Sequence, residues 1–338
     1  EPADCRRVFP NFEQPDLKAV FNFRITAPRD WVVSSNGVLE SEVSDPTDSN
    51  IVKRVFAPTE RISTYITAVL AGEYFTVTDT YKPQSITNSG DIPLVAYCRH
   101  SLKPHFDYDN IFRVTKNGLD FFQDLFDYPY PYPKYEQAFV PEYNIGAMEN
   151  PGLVTFTEDF IFVSGATEDD LEGRANTICH EMAHMWFGDL VTMKWWDDLW
   201  LKESFADFMG ALGAIEANGF NDAWVTFANH RKSWAYLQDQ LPTTHPIVAD
   251  IPHLEAAAQN FDGITYAKGA STLKQLVSYV GFDTFIEAAR VYFKRFAWGN
   301  TSLQDFLDVL NEVSGRDMQT WSQAWLQTSG LSTLGTRR

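Results

Sequence analysis

The chain has 338 residues, of which 44% are apolar, so it is long enough to form two hydrophobic cores. Its 27 Lys and Arg residues against 45 Asp and Glu residues give a formal net charge of -18 at pH 7. Nucleic acid is therefore not an expected partner, because polyanions are repelled over most of such a surface. No uncharged run approaches membrane-spanning length, so a membrane is not an expected partner either.

The few cysteines, Cys5, Cys98 and Cys179, are too widely spaced to indicate a disulfide framework or a thiolate metal cage. The first residues lack the basic and apolar blocks of a secretory signal. We therefore expect a reducing, cytoplasmic location. Because the chain opens on Glu1 without an initiator Met, we also expect it to be a fragment of a longer protein.

The first hundred residues alternate short β-rich segments with Pro, Asp, Asn and Gly. The predicted strands lie in 19–25, 51–56, 65–77 and 92–98. This punctuation is typical of antiparallel sheets, and it predicts a β-sheet domain over residues 1–100.

After residue 104 the pattern becomes mainly helical. A helical period runs from 108 to 125 and is followed by β-like segments at 137–140 and 153–162. Apolar residues then recur at spacings of three and four in 172–187, 200–218, 221–238, 266–280, 283–296 and 302–314. A mixed sheet followed by a helical body over residues 101–332, with a tail at 333–338, gives an α+β fold.

His180, Glu181 and His184 form the pattern HExxH. Residues four apart lie on one face of a helix, with Cβ atoms about 5–6 Å apart, so the two imidazoles can share one tetrahedral zinc ion. Glu181 lies beside them and is suited to act as a general base. The pattern therefore predicts one catalytic zinc ion per chain.

A catalytic zinc ion takes three ligands from the protein and keeps one position open. Eighteen residues separate His184 from Glu203, which is the spacing of a known HExxH peptidase pattern. Glu203 begins a helical segment flanked by aromatic residues, and we expect it to be the third ligand. The alternative is an ordinary exposed glutamate on a helix.

Two further motifs accompany the zinc pattern. Residues 146–150 read GAMEN, and residues 264–269 read ITYAKG. With these motifs the chain resembles the aminopeptidase N family of zinc metallopeptidases, over essentially its whole length. We expect it to be closest to bacterial members, with actinobacterial members as the candidate group.

The resemblance implies a thermolysin-like zinc peptidase domain after the end of an N-terminal sheet domain. It also implies a zinc-dependent aminopeptidase that acts on peptides with a free N-terminus, and a helical domain beyond Arg338 in the full-length protein. Tyr266 would stabilise the negative charge on the oxygen of the attacked carbonyl, although an ordinary buried tyrosine is the alternative. Residues implied to bind the substrate are Glu149 and Glu1 at its ammonium group, and Gly146, Ala147, Met148 and Asn150 along the GAMEN segment.

The chain departs from the family pattern at Lys202 and Ser204, where many members have Asn and Gly, and at Asp189, where Asn is frequent. These residues surround the metal site without replacing a ligand. Two alternatives to an active aminopeptidase stay open. One is a catalytically silent or weakened peptide-binding fragment, and the other is a related zinc hydrolase with an epoxide hydrolase side activity.

Overall fold

The computed structural model describes residues 3–84, 90–332 and 335–337. Glu1, the predicted second ammonium-binding residue, lies outside the described residues. The N-terminal part is rich in strands, which form an antiparallel sheet of order β1-β4-β3 and an antiparallel pair of β2 with β5. These strands are β1 (Arg24–Pro28), β2 (Val32–Ser35), β3 (Leu39–Ser44), β4 (Ile51–Phe56) and β5 (Val69–Gly72).

A five-stranded mixed sheet of order β6-β7-β8-β10-β9 follows. Its central pairs, β7 with β8 and β8 with β10, are parallel, whereas the outer pairs are antiparallel. Strands from both sides of residue 100 share this sheet, and the predicted domain boundary there stays a prediction. The strands are β6 (Tyr74–Tyr81), β7 (Ile92–Arg99), β8 (Tyr135–Val140), β9 (Ala147–Met148) and β10 (Leu153–Thr157).

The rest of the chain is mainly helical, with one short parallel pair of strands, β11 (Thr192–Met193) and β12 (Asn300–Thr301). The arrangement of an antiparallel sheet, a mixed sheet and a helical body confirms the predicted α+β fold. The helices are α1 (Tyr108–Phe126), α2 (Glu168–His184), α3 (Leu199–Glu216), α4 (Ala223–Thr226), α5 (Lys232–Asp239), α6 (Leu254–Gln259), α7 (Gly269–Val280), α8 (Phe282–Phe296), α9 (Leu303–Ser314) and α10 (Met318–Trp325). None of the helices in the described residues is long and apolar enough to cross a membrane.

Helix α2 carries the HExxH pattern at its C-terminal end. Its start is fixed by a capping box, in which the Thr167 hydroxyl accepts from the Asp170 amide at 3.1 Å and the Asp170 carboxylate accepts from the Thr167 amide at 2.8 Å. Three acidic residues in the first turn stabilise the positive end of the helix dipole. The last turns are buried, which places His180 and His184 inside the molecule.

Helix α3 packs closely against α2 at two glycines of α3, Gly210 and Gly213. A Cβ atom at Gly210 would lie 2.9 Å from the Asn176 carbonyl oxygen and 3.2 Å from His180 Cβ, and one at Gly213 would lie 3.0 Å from Cys179 Cβ. Side chains at these two positions would hold the helices apart. The glycines therefore let α3 approach the turn of α2 that contains His180, and Glu203 lies two turns earlier on α3.

A cluster of aromatic side chains packs behind this crossing. The rings of Phe187 and Phe205 stack with centroids 4.4 Å apart, and Phe126 meets Trp186 at 5.5 Å and Phe293 at 5.0 Å. All five side chains are buried. This core joins α1, α3, α8 and the chain after α2, so it resists movement of the two helices relative to each other.

We expect Gly210→Ala to destabilise the protein by about 1–3 kcal/mol, because the added methyl group must displace backbone atoms of α2. Helix propensity alone would give the opposite sign, with a gain of up to about 1 kcal/mol. Gly173→Ala, at an exposed position of α2, is the matched control, since nothing lies within 4 Å of its added Cβ. Unfolding in urea measures both, and a Gly210→Ala variant as stable as Gly173→Ala would contradict the close crossing.

Candidate active site

Three predicted metal ligands converge at the crossing of α2 and α3. His184 Nε2 lies 3.2 Å from His180 Nε2 and 3.3 Å from Glu203 Oε2, and His180 Nε2 lies 3.5 Å from the same oxygen. All three side chains are buried. The structure therefore brings together two helix-borne imidazoles and a carboxylate from the second helix.

These separations fit a zinc ion. Donors about 2.0–2.2 Å from a tetrahedral zinc lie about 3.3–3.6 Å from one another, which is close to the three distances between the donor atoms here. Two imidazoles and one carboxylate are also a known donor set for a catalytic zinc with one open position. The residues therefore suit the predicted ion in both spacing and chemistry.

Hydrogen-bond acceptors orient both imidazoles. His180 Nδ1 lies 3.3 Å from Asp207 Oδ1, and His184 Nδ1 lies 3.1 Å from the Phe187 carbonyl oxygen. Acceptors at both Nδ1 atoms favour the tautomer that leaves each Nε2 available as a ligand. The guanidinium of Arg231 in turn donates to Asp207.

The charge around these ligands is reflected in their pKa values. Burial lowers the pKa of His180, but the hydrogen bonds to Asp207 and Glu203 outweigh burial and raise it to about 10. Burial raises the pKa of Glu203, but the nearby Lys202 and His184 hold it well below its usual value. The carboxylates of Asp207 and Glu203 thus favour the protonated form of the His180 ring when no metal competes for it.

Glu181 lines the same cleft and is 5% exposed. Burial and the nearby Glu149 raise its pKa, whereas His180 lowers it, and the net value is about 8. A carboxyl group that titrates near neutral pH can both accept and return a proton. The environment of Glu181 therefore suits a general acid and base.

Glu149 is buried beside the metal ligands. Its carboxylate, that of Glu181 and a ring nitrogen of His184 all lie within 4.8 Å of one another. Glu149 accepts a hydrogen bond from Lys202, whose ammonium group also lies 2.8 Å from Glu203 Oε1. Burial raises the pKa of Glu149, but Lys202 and His184 together hold it below its usual value. Glu149 is thus an ionised carboxylate next to the ligand set.

Tyr266 lies on a π-helical turn, Ile264–Lys268, which precedes α7. Asp262 fixes the start of this turn by accepting from the amides of Ile264 at 2.9 Å and Thr265 at 3.0 Å. The Tyr266 ring stacks at 6.3 Å on that of His180. Burial raises the pKa of Tyr266 well above its usual value, so its hydroxyl keeps its proton at neutral pH and can donate.

A cleft of about 540 Å³ is lined by the three predicted metal ligands and by Glu149, Glu181 and Tyr266. Gly146, Ala147 and Met148 line it, and β9 lies at the edge of the mixed sheet, in the part of the chain that the structure describes. Asn150 is not among the lining residues, and its side-chain amide donates to the Thr155 hydroxyl at 3.2 Å. A substrate-binding role for Asn150 stays a prediction.

Comparison with known proteins gives the family. The profile described as the Peptidase family M1 domain matches residues 111–325, and that of the Peptidase M1 N-terminal domain matches residues 1–66. The chain belongs to peptidase family M1. The resemblance stated from the HExxH, GAMEN and ITYAKG motifs is thereby confirmed.

Several known proteins, two of them named as aminopeptidases, are similar to this M1 chain over nearly its whole length. Aminopeptidase N of Streptomyces lividans is 54% identical over 336 residues, which are 99% of this chain and 38% of that protein. Aminopeptidase 2 of Candida albicans is 33% identical over 98% of this chain and 35% of its own length. Tricorn protease-interacting factor F2 of Thermoplasma volcanium is 34% identical over 99% of this chain and 41% of its own.

The chain thus spans roughly two fifths of the length of these relatives, from 35% to 41%. The helical domain expected beyond Arg338 stays a prediction. The match with the Streptomyces protein agrees with the expected similarity to bacterial members of the family.

Sequence reasoning missed two residues that support the M1 site, Asp207 and Arg231. Asp207 follows Glu203 by four residues, so both side chains lie on one face of α3, and this spacing could have indicated a role for Asp207. Arg231 comes from another part of the chain, and nothing in its sequence neighbourhood indicates its contact with Asp207. That contact is decided by tertiary packing.

We expect the zinc affinity of the protein to rise about tenfold per pH unit between about pH 7 and pH 8.5. The pKa of His180 in the metal-free site is about 10, so zinc must displace a proton from this ring over that whole range. Raising the pH weakens this competition and favours the metal. Titration against a chelator of known affinity, at several pH values, measures the slope.

Two variants are controls for this slope. Asp207→Asn removes a carboxylate that stabilises the His180 imidazolium, so the slope should become shallower. His245→Gln removes a comparable imidazole that contacts Asp262 at 2.7 Å and is not a lining residue of the cleft, so the slope should not change. A pH-independent zinc affinity of the unmodified protein would contradict a protonated His180 ring in the metal-free site.

Proposed function

We propose that this chain carries the site of a zinc-dependent aminopeptidase, which hydrolyses the N-terminal peptide bond of peptides. His180, His184 and Glu203 would hold one zinc ion. The proposal rests above all on the position of Glu149, an ionised and buried carboxylate within 4.8 Å of a ring nitrogen of His184. An endopeptidase site has no need of a buried carboxylate at that distance from the metal ligands.

Glu149 would bind the ammonium group of the substrate. A carboxylate and an ammonium group attract each other more strongly in a partly desolvated cleft than at the surface. An internal amide carries no charge to match the carboxylate, so this pairing selects the N-terminus of a peptide. The short distance between Glu149 and the metal ligands then limits cleavage to the first peptide bond.

Glu181 would move the proton that hydrolysis requires. When bound, zinc supplies Lewis acidity that lowers the pKa of a water molecule from about 15.7 toward 7. Glu181 accepts the proton of the attacking water and returns it to the amine that leaves. Burial raises the pKa of Glu181 above that of an exposed glutamate, which brings it closer to the value that favours both transfers near neutral pH.

Tyr266 would stabilise the negative charge that develops on the oxygen of the scissile carbonyl. Its hydroxyl stays protonated, and its ring lies parallel to that of His180, beside the ligand set. A fixed donor of this kind contributes about 3–4 kcal/mol to transition-state stabilisation in comparable sites. The backbone of Gly146 and Ala147, at the sheet edge, would align the peptide as an added strand.

The relatives favour this function over the two alternatives. Those from Streptomyces and Candida are named as aminopeptidases, and the chain carries the residues that the proposed mechanism requires. We also propose a cytoplasmic location. It is supported by the three cysteines, which are buried and form no disulfide.

Glu181→Gln is expected to lower turnover by about 10²–10⁴-fold while the protein keeps one zinc ion, because Glu181 transfers protons and is not a ligand. Metal analysis and steady-state kinetics on the same preparation separate the two roles. Glu172→Gln, a buried glutamate earlier on α2, is the matched control and should keep its activity. Loss of zinc from Glu181→Gln would refute this division of roles.

Hydrolysis of a panel of aminoacyl chromogenic substrates, each also prepared with an acetylated amino group, tests the function. We expect cleavage of the free-amine forms and a drop in kcat/KM on the order of 100-fold on acetylation, since acetylation leaves Glu149 without its charged partner. Glu149→Gln should raise KM for the free-amine forms by a similar factor. Glu142→Gln, an exposed glutamate outside the cleft, is its control.

Equal cleavage of acetylated and free substrates would refute the aminopeptidase proposal. One zinc ion per chain with no hydrolysis of any substrate would favour the silent peptide-binding alternative instead.

A further inference from the structure

Lys202 is a buried cation that contacts two residues of the cleft, Glu149 and Glu203. Its side chain is 2% exposed, although lysine is among the residues least often buried. It directly precedes Glu203 on α3. A buried ammonium group is stable only when the charges around it compensate for its lost hydration, so its partners show what it does.

The partners of Lys202 are Glu203, the proposed third metal ligand, and Glu149, the proposed binding group for the substrate's ammonium. The Lys202 ammonium lies 2.8 Å from Glu203 Oε1 and donates a hydrogen bond to Glu149 Oε1. It also lies 5.1 Å from the centroid of the Tyr65 ring, a favourable position for a cation. One ammonium group therefore joins the proposed metal ligand to the proposed ammonium-binding carboxylate.

The contact with Glu203 affects the way this carboxylate meets the metal. Glu203 Oε1 faces Lys202, whereas Oε2 faces the Nε2 atoms of His180 and His184. With one oxygen held by the ammonium group, the other is directed at the metal position. Partners of this kind commonly strengthen metal binding about 10–100-fold.

The contact with Glu149 matters for a different reason. Glu149, Glu181 and His184 offer donor atoms within 4.8 Å of one another, so they form a second set that could hold a cation. A metal ion that drew Glu149 into its coordination would remove the binding group for the substrate. A hydrogen bond from Lys202 to Glu149 Oε1 places a positive charge at this carboxylate and fixes its side chain.

We propose that Lys202 is a positioning residue that couples the metal ligand Glu203 to the ammonium-binding carboxylate Glu149. It directs Glu203 Oε2 at the metal position, and it holds Glu149 at a fixed distance from that position. This inference rests on the proposed aminopeptidase function. It adds a residue that does not touch the reacting atoms and acts through two residues that do.

Zinc affinity and steady-state kinetics of Lys202→Met, Glu149→Gln and the double variant test the coupling. Lys202→Met should bind zinc about 10–100-fold more weakly in competition with a chelator. At saturating zinc it should also show a KM for free-amine substrates raised about tenfold or more, with a smaller change in kcat. Glu149→Gln should raise KM without weakening zinc, and the double variant should have the KM of Glu149→Gln alone.

Lys134→Met is the matched control, because Lys134 is also buried and contacts a glutamate, Glu136, at 2.9 Å within the mixed sheet. It should leave both the zinc affinity and KM unchanged. If Lys202→Met fails to fold, Lys202→Gln, which keeps a donor without the charge, is measured in its place with the same expected directions.

Unchanged zinc affinity or unchanged KM in the Lys202 variant would overturn the coupling. So would a KM effect that adds fully to that of Glu149→Gln, because Lys202 would then not act through Glu149. Failure of the proposed function is distinguishable from these results. In that case the unmodified protein itself would not hydrolyse free-amine substrates, or would cleave acetylated ones equally well.

Discussion

The close crossing of α2 and α3 is the constraint on which the site depends. Two of the proposed ligands lie on one helix and the third on the other, so the donor set exists only where the helices come within the reach of a glutamate side chain. Gly210 and Gly213 permit this approach, and the aromatic core around Phe187 and Phe205 holds it in place. Stability and the proposed metal binding therefore depend on the same packing.

The second feature is the concentration of carboxylates in and beside the cleft. The carboxylates of Glu149, Glu181, Glu203 and Asp207 lie close to one another, to the cations Lys202 and Arg231 and to the imidazole of His180. Carboxylates in such proximity repel one another, and a divalent cation bound there would offset that repulsion. The same carboxylates favour an ammonium group. The electrostatics of the cleft thus suit both the proposed metal and the proposed substrate end.

Much of the fold could be predicted from the sequence. The helical periods at 108–125 and 283–296 correspond to α1 and α8 within one residue, and the strand at 51–56 coincides with β4. The local pattern was sufficient there because the two helices are strongly amphipathic and the strand is rich in β-branched residues. The period at 221–238 is instead broken by the π-helical turn Phe227–Arg231, which has no signal in the apolar spacing and which carries Arg231 to Asp207.

By itself, the sequence determined the helix that bears His180, Glu181 and His184, the spacing to Glu203 and the family to which the chain belongs. These depend on residues close together in the chain or on motifs read along it. Only the tertiary structure decided that Asp207 and Arg231 support His180, that Lys202 joins Glu149 to Glu203, and that Asn150 pairs with Thr155. The physical reason is that these contacts join segments distant in sequence or depend on side-chain direction, which packing and charge settle only once the chain has folded.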